Sequence, residues 1–292
     1  MNTGRRWQVV TTIHLFPGQG SQKVGMGSDL FDRFPDLEQE ADDVLGYSIR
    51  ELCLQDPGRH LDLTHYTQPA LYVVNAMAYL ARIEEDDRLP DFVAGHSLGE
   101  YNALLAAGAF DFLTGLRLVK KRGELMGRAT GGGMAAVIGL TAEQVAAILE
   151  EQGLHTLDLA NFNAPRQTVI SGPTQDILAA KPHFLAGGAQ TFWPLKVSAA
   201  FHSRYMLEAQ TEFRTFLEQF SFTRPNLSVV ANVTARPYEP DKTSHLLAEQ
   251  LGKPVRWLQS MRYLLEQPEP RFFELGPGTV LSSLLSKIEQ QR

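Results

Sequence analysis

The sequence predicts an α/β protein with a parallel sheet and a smaller inserted unit. Three observations predict it. Short apolar, β-branched runs alternate with longer amphipathic segments over residues 1–130, the pattern of a parallel sheet covered by helices. The run Gly131-Gly132-Gly133 breaks that alternation, and strands then come closer together. The length, 292 residues with 43% hydrophobic and 21% charged, suits one large domain or two smaller ones.

The elements follow in order. Val9 to Phe16 is short, Thr-rich and β-branched, so it reads as a buried strand and not as part of a signal peptide. Phe16-Pro17-Gly18-Gln19-Gly20-Ser21-Gln22 ends it in a tight loop. Residues 28–54 read as helical pieces interrupted by Pro35, and Pro69 to Glu84 as a long helix with a broad apolar face of Leu71, Val74, Met77, Ala78, Leu80 and Ala81. Phe92-Val93-Ala94 is a strand, followed by a Gly-rich turn and helix 98–107, closed by Gly108; helix 112–130 comes next.

Beyond the glycines, strand 134–139 leads to helix 142–152, opened by a capping box of Thr141 and Gln144. Strand 156–160, a turn over Asn161-Phe162-Asn163-Ala164-Pro165, strand 167–171, helix 174–186 and strand 190–198 complete a β-α-β-β-α-β order, the ferredoxin-like arrangement. Residues 131–198 are therefore expected to be an inserted ferredoxin-like subdomain. Residues 1–130 and 199–292 form the large domain, which resumes with helix 204–219, a strand at Val229-Val230, helix 243–251 and strand 271–275.

Composition excludes several functions. The net charge of −6 disfavours a nucleic-acid partner. A single cysteine, Cys53, allows no internal disulfide and no cysteine-cluster metal site, which fits a reducing cytoplasm. No apolar run reaches the roughly 18 residues of a membrane span.

The chemistry is carried first by Gly95-His96-Ser97-Leu98-Gly99. A serine on a sharp strand-to-helix turn holds its hydroxyl clear of the backbone, above helical N–H groups able to stabilise an oxyanion. An incidental serine in a Gly-rich turn is the alternative, and the strand–turn–helix context weighs against it. Such a serine needs a base. Of eight histidines, His96 adjoins Ser97 and its side chain diverges from it. His202, in Ser198-Ala199-Ala200-Phe201-His202-Ser203 at the junction back to the large domain, is the best candidate, against the alternative of a structural histidine.

Arg122 falls on the apolar stripe Leu116, Val119, Met126. A guanidinium facing a core must be paired, either with a buried Asp or Glu or with a substrate carboxylate held in a bidentate fork. Gly123 beside it would give a ligand room, whereas Lys120, Lys121 and Arg128 read as solvated. The Gln19 backbone N–H could point into the same cleft, because open α/β sheets bind ligands at the carboxyl ends of their strands.

Seven segments, in order and spanning nearly the whole chain, resemble malonyl-CoA:acyl-carrier-protein transacylases. They are Phe16 to Gln22, Gly95 to Glu100, Arg122-Gly123-Glu124-Leu125-Met126, Asn163-Ala164-Pro165, Ala200-Phe201-His202-Ser203, Pro254-Val255-Arg256-Trp257 and Glu274-Leu275-Gly276-Pro277-Gly278. The resemblance implies an α/β-hydrolase-like large domain with a ferredoxin-like insertion. It implies Ser97 as nucleophile, His202 as base, the Gln19 and Leu98 N–H groups as oxyanion hole, and Arg122 as clamp for the malonyl carboxylate. It also implies a dyad without a carboxylate third member, the histidine being oriented by backbone carbonyls near Gln250. Phe201 resembles the malonyl-selective version of its motif. One departure is Gly252-Lys253 before Pro254, where many relatives carry asparagine just before the proline.

The segment Lys120 to Met126 looks most like the discrete, trans-acting acyltransferases of polyketide synthases, the disorazole-type group among them, and the length leaves no room for an attached synthase module. The implied substrates are malonyl-CoA and a phosphopantetheinylated carrier protein of polyketide or fatty-acid synthesis, with no further cofactor, no metal and no membrane. Lys and Arg are spread too evenly to mark where the carrier docks. An acyl hydrolase using the same dyad with water as acceptor is the alternative. Arg122 argues against it, since such hydrolases resemble this family but typically lack the carboxylate-binding arginine.

Overall fold

The computed structural model describes residues 10–86 and 88–291. Val9, with which the first strand was expected to begin, and the preceding residues read as no signal peptide lie outside them. Eight strands are present among the described residues: β1 Thr11–Phe16, β2 Phe92–Gly95, β3 Gly132–Ile138, β4 Asp158–Ala164, β5 Gln167–Pro173, β6 Thr191–Pro194, β7 Ser228–Val230 and β8 Pro270–Glu274. They form two four-stranded sheets. The first has the order β7-β2-β1-β8 and is parallel throughout, with Ile13 opposite Phe92 and Phe272. The second has the order β4-β5-β3-β6 and is antiparallel. The expected pairing of a parallel α/β sheet with a small β-α-β-β-α-β sheet is the observed architecture.

β1 is buried along its whole length, as a central parallel strand covered on both faces must be. Its alternate residues enter different cores. Ile13 and Leu15 pack with Trp257, Met261 and Leu285, whereas Phe16 packs with Leu71, Tyr101 and Leu104. A third core joins the antiparallel sheet to its two helices through Val137, Val145, Ile170 and Phe184. The helix Ala142–Glu151 opens on the expected capping box, with both Thr141–Gln144 bonds formed.

Several elements differ from expectation. Pro35 does not interrupt a helix but opens one, Pro35–Leu45, where its missing N–H costs nothing. The long helix runs Thr64–Glu85 and begins five positions before Pro69; Thr67 Oγ1 donates to Leu61 O at 2.6 Å and ties down its start. Asn161 to Ala164, expected as a turn, continue β4 through two register irregularities. Tertiary pairing overrides their turn preference: β4 is an edge strand, and Val255 closes that edge from the other half of the molecule. Val255 N donates to Ala160 O and Phe162 N to Val255 O, both at 2.9 Å. β6 ends at Pro194 rather than at residue 198, and the chain leaves the sheet to carry residues 195–203 across to the parallel half. The helices Trp257–Leu265 and Val280–Glu289 were not anticipated. No helix among the described residues is long and apolar enough to cross a membrane.

Candidate active site

The turn between β2 and the helix Gly99–Ala106 is built by close backbone contact. A Cβ on Gly95 would lie 1.9 Å from the Gly99 carbonyl carbon, and one on Gly99 would lie 2.0 Å from Phe16 O. One on Gly18 would lie 2.3 Å from His96 O. Only glycine lets the loop after β1, the turn and the helix interlock. At the apex, Ser97 has φ +52°, a left-handed conformation that strains a residue with a side chain. Asn232, just after β7, holds it there: Oδ1 accepts from Ser97 N and Nδ2 donates to Gly95 O, both at 2.7 Å.

His202 reaches Ser97 from the crossing segment. Its Nε2 lies 2.8 Å from Ser97 Oγ, and its Nδ1 lies 2.8 Å from Gln250 O. A carbonyl can only accept, so Nδ1 carries the proton and Nε2 presents its lone pair to the serine hydroxyl. Gln250 lies in the last turn of the helix Thr243–Gly252, where carbonyls have no partner within the helix, and the imidazole satisfies one of them. Burial, aided by the nearby Arg122 charge, lowers the His202 pKa to about 3 and keeps the ring neutral. His96 turns away: its Nε2 meets Asn163 Oδ1 at 2.9 Å and its ring packs on Trp257.

Arg122, on the helix Phe112–Arg128, is 1% exposed. Its Nη1 donates to Gln68 Oε1 at 2.6 Å, and its Nη2 donates to Ser97 Oγ and Gln250 Oε1, both at 2.9 Å. It sits 5.6 Å from the centre of the Tyr101 ring. All three acceptors are neutral oxygens, and among the described residues no carboxylate lies within ion-pair distance. Gly123 serves packing rather than a ligand, since a Cβ there would lie 3.1 Å from His65 Cα on the long helix. Lys121 and Arg128 share Glu212 at the surface, and Lys120 donates to Val44 O, so they are not simply solvated.

Gln19, Ser97, Leu98, Arg122, Phe201 and His202 line one cavity of about 140 Å³, closed from the antiparallel sheet by Met134, Asn161 and Val169. The N–H groups of Gln19 and Leu98 have no partner among the described residues. Leu98 precedes the first helical residue, so its N–H is free to meet an oxyanion. Gln250 stands behind the cavity wall. A roomier groove of about 750 Å³, between Asp43, Lys120 and Phe220, contains neither Ser97 nor His202.

A half-buried serine hydroxyl beside a buried, neutral imidazole, at the end of a parallel strand, is the equipment of acyl transfer through a serine ester. The sequence family described as the acyl transferase domain matches residues 13–289. This chain belongs to that family. The polyketide biosynthesis malonyl CoA-acyl carrier protein transacylase BaeC of Bacillus velezensis is 57% identical to this acyltransferase over 279 residues, covering 95% of this chain and 96% of BaeC. The crystal structure of a malonyl CoA-acyl carrier protein transacylase from Burkholderia pseudomallei superposes with TM-score 0.94 at 50% identity, covering 97% of this chain and 99% of that one. A malonyl-transacylase solved in complex with a type II PKS acyl-carrier protein, PlMCAT with AntF, superposes with TM-score 0.91 at 37% identity, covering 96% and 93%.

The acyltransferase site contains residues that sequence reasoning missed. Asn232, Gln68, Glu100 and Tyr238 all hydrogen-bond to the site or to its supports. Asn232 had a usable signal: a polar residue directly after Val229-Val230-Ala231, at the carboxyl end of a strand. Gln68 and Tyr238 had none, because their partners are distant in sequence.

Proposed function

We propose that this acyltransferase moves a malonyl group from malonyl-CoA to the phosphopantetheine thiol of an acyl carrier protein. The observation that carries this reading is Arg122, a buried guanidinium hydrogen-bonded to the nucleophile and to two amide oxygens, with no carboxylate among the described residues in ion-pair reach. A malonyl carboxylate is the acceptor that position lacks, and a guanidinium can take it with two parallel bonds. The cavity of about 140 Å³, bounded by Phe201, suits a short acyl group.

Two half-reactions follow. His202 Nε2 takes the Ser97 proton as Oγ attacks the thioester carbonyl. The Gln19 and Leu98 N–H groups receive the oxyanion; loss of one such donor costs about 10²–10³ in rate. The C–S bond breaks, and the leaving CoA thiolate takes the proton from His202. In the second half, His202 takes the proton of the carrier thiol, the thiolate attacks the acyl-serine carbonyl, the ester C–Oγ bond breaks, and Ser97 Oγ takes the proton back from His202. This chemistry calls for no cofactor beyond the two substrates.

The similarity to BaeC supports a role in polyketide synthesis, which we read as trans-acting and cytoplasmic; fatty-acid synthesis uses the same chemistry. Intact-mass measurement tests the reading: brief exposure to malonyl-CoA or acetyl-CoA, then addition of a phosphopantetheinylated carrier. A malonyl adduct that moves to the carrier is expected. An adduct formed equally from either donor and lost to water faster than to carrier overturns the reading in favour of a hydrolase.

A further inference from the structure

Behind the dyad lies a carboxylate that acyl transfer does not use. Glu100 is fully buried in the first turn of the helix Gly99–Ala106. Oε1 accepts from the Tyr238 hydroxyl and Oε2 from Gln250 Nε2. Among the described residues no cation bonds to it directly. The charged and titratable groups around it are Arg122, Tyr101 and Tyr238. A buried carboxylate without an ion pair is costly, so its position calls for a reason.

The reason lies in Gln250, which bonds to Ser97, His202 and Arg122 as well as to Glu100. Its backbone oxygen accepts from His202 Nδ1, and its side-chain Oε1 accepts from Arg122 Nη2. Its Nε2 donates to Ser97 O at 2.9 Å and to Glu100. An amide has a donor end and an acceptor end of nearly equal shape. Arg122 can only donate, and Glu100 can only accept once it is ionised, which burial delays to about pH 7 and above. Together they admit one orientation of the Gln250 amide. The reversed orientation would set NH₂ against the guanidinium and oxygen against the carboxylate.

We propose that Glu100 is a positioning residue that locks the Gln250 amide and thereby fixes the Arg122 guanidinium for the acyl carboxylate. Tyr238 completes the lock from outside the cavity. The inference rests on the reading of Arg122 as the malonyl clamp. In Glu100→Gln the charged acceptor is gone: the new amide either presents NH₂ to Gln250, a clash of donors, or turns NH₂ to the Tyr238 hydroxyl, which must rotate to accept, and keeps only a neutral bond to Gln250, so the lock is weakened.

The experiment is the rate of Ser97 acylation by malonyl-CoA and by acetyl-CoA, read by rapid-quench intact mass. It compares the unaltered protein with Glu100→Gln, Tyr238→Phe, Arg122→Ala and the Glu100→Gln/Arg122→Ala double variant. Glu100→Gln is expected to lower the malonyl-to-acetyl ratio by about tenfold, as loss of a charge-assisted bond would. In the Arg122→Ala background the same change is expected to move the ratio by less than about twofold, since coupled residues are not additive. An equal fall in both backgrounds, or an unchanged ratio in Glu100→Gln, overturns the inference. If Glu100→Gln does not fold, Tyr238→Phe decides: a ratio lowered about two- to fivefold supports the lock, and an unchanged ratio rejects it. Should Arg122→Ala keep the malonyl preference, the clamp reading fails and takes this inference with it. Should Arg122→Ala lose the preference while Glu100→Gln keeps it, this inference fails alone.

Discussion

The two members of the dyad, 2.8 Å apart, are held by different kinds of force. Ser97 sits on a turn fixed by backbone contact, where glycines at 18, 95 and 99 let main chain meet main chain. His202 sits on a crossing segment fixed by hydrogen bonds: one helix-end carbonyl, and behind it the chain Gln250, Glu100, Tyr238. Steric fixing is short-range and absolute, because no side chain fits. Polar fixing is long-range and graded, because each bond contributes only about 1–3 kcal/mol. The serine half should therefore break outright, and the histidine half should loosen by degrees.

The largest effect is expected at the serine half. Gly95→Ala drives a Cβ to 1.9 Å from backbone that has nowhere to go. Overpacking of that kind costs about 3 kcal/mol or more, which thermal denaturation should read as a fall of roughly 10 °C or as failure to fold. A melting temperature within about 2 °C of the parent would show that contact does not hold the turn.

Next comes Arg122→Ala, which leaves both halves of the dyad in place. Malonyl loading should fall about 10–100-fold relative to acetyl loading, the worth of charge-assisted bonds to a carboxylate. Equal loss for both acyl groups would make Arg122 a support of Ser97 rather than a clamp.

Asn232→Ala probes a polar support of the serine half, one that bonds the turn at two points. It removes two bonds of 2.7 Å and leaves Ser97 N and Gly95 O unpartnered, so a loss of about 1–3 kcal/mol is expected, with acylation slowed more than KM is raised. Unchanged acylation would mean that the glycines alone suffice.

The smallest effect is the pH dependence of stability, which reports the histidine half. Folding lowers His202 to about 3 and His14 to about 4, by burial in both cases, so the unfolded chain binds protons that the folded chain refuses. Stability is then lost as pH falls below 6.5. Glu100, raised by burial to about 7, acts in the opposite direction between about 7 and 4.5. His96, lowered by burial as well, acts with the other two histidines, and together they outweigh Glu100 and Asp42, whose carboxyls burial raises. The melting temperature should decline from pH 6.5 to 4.5 and decline more steeply below that. A rise on acidification would contradict the burial of a neutral His202.

The same contrast explains what was legible in the sequence. Patterns confined to a few neighbours could be read: the strand–Gly–Ser–Gly turn around Ser97, the Thr141–Gln144 capping box, and Arg122 on an otherwise apolar stripe. Gln19 follows from the rule that open α/β sheets bind ligands at the carboxyl ends of their strands, whereas the roles of Leu98, Phe201 and Gln250 around Ser97 came from resemblance. Illegible were features that exist only when distant segments meet. Asn161 to Ala164 look like a turn until Val255 pairs with them. Gly123 looks like space for a ligand until the long helix fills it. Glu100 looks like an ordinary first-turn acid until Tyr238 and Gln250 converge on it from more than 130 positions away.

The pairing of Val255 with β4 has a consequence for changing what this protein accepts. Main-chain bonds tie the antiparallel sheet to the parallel half, so the gap that receives the acyl group has a fixed span. Its capacity is then a property of a few removable side chains, Met126, Met134, Val169 and Phe201. Redesign toward bulkier extender units becomes a matter of trimming those four while leaving the frame untouched.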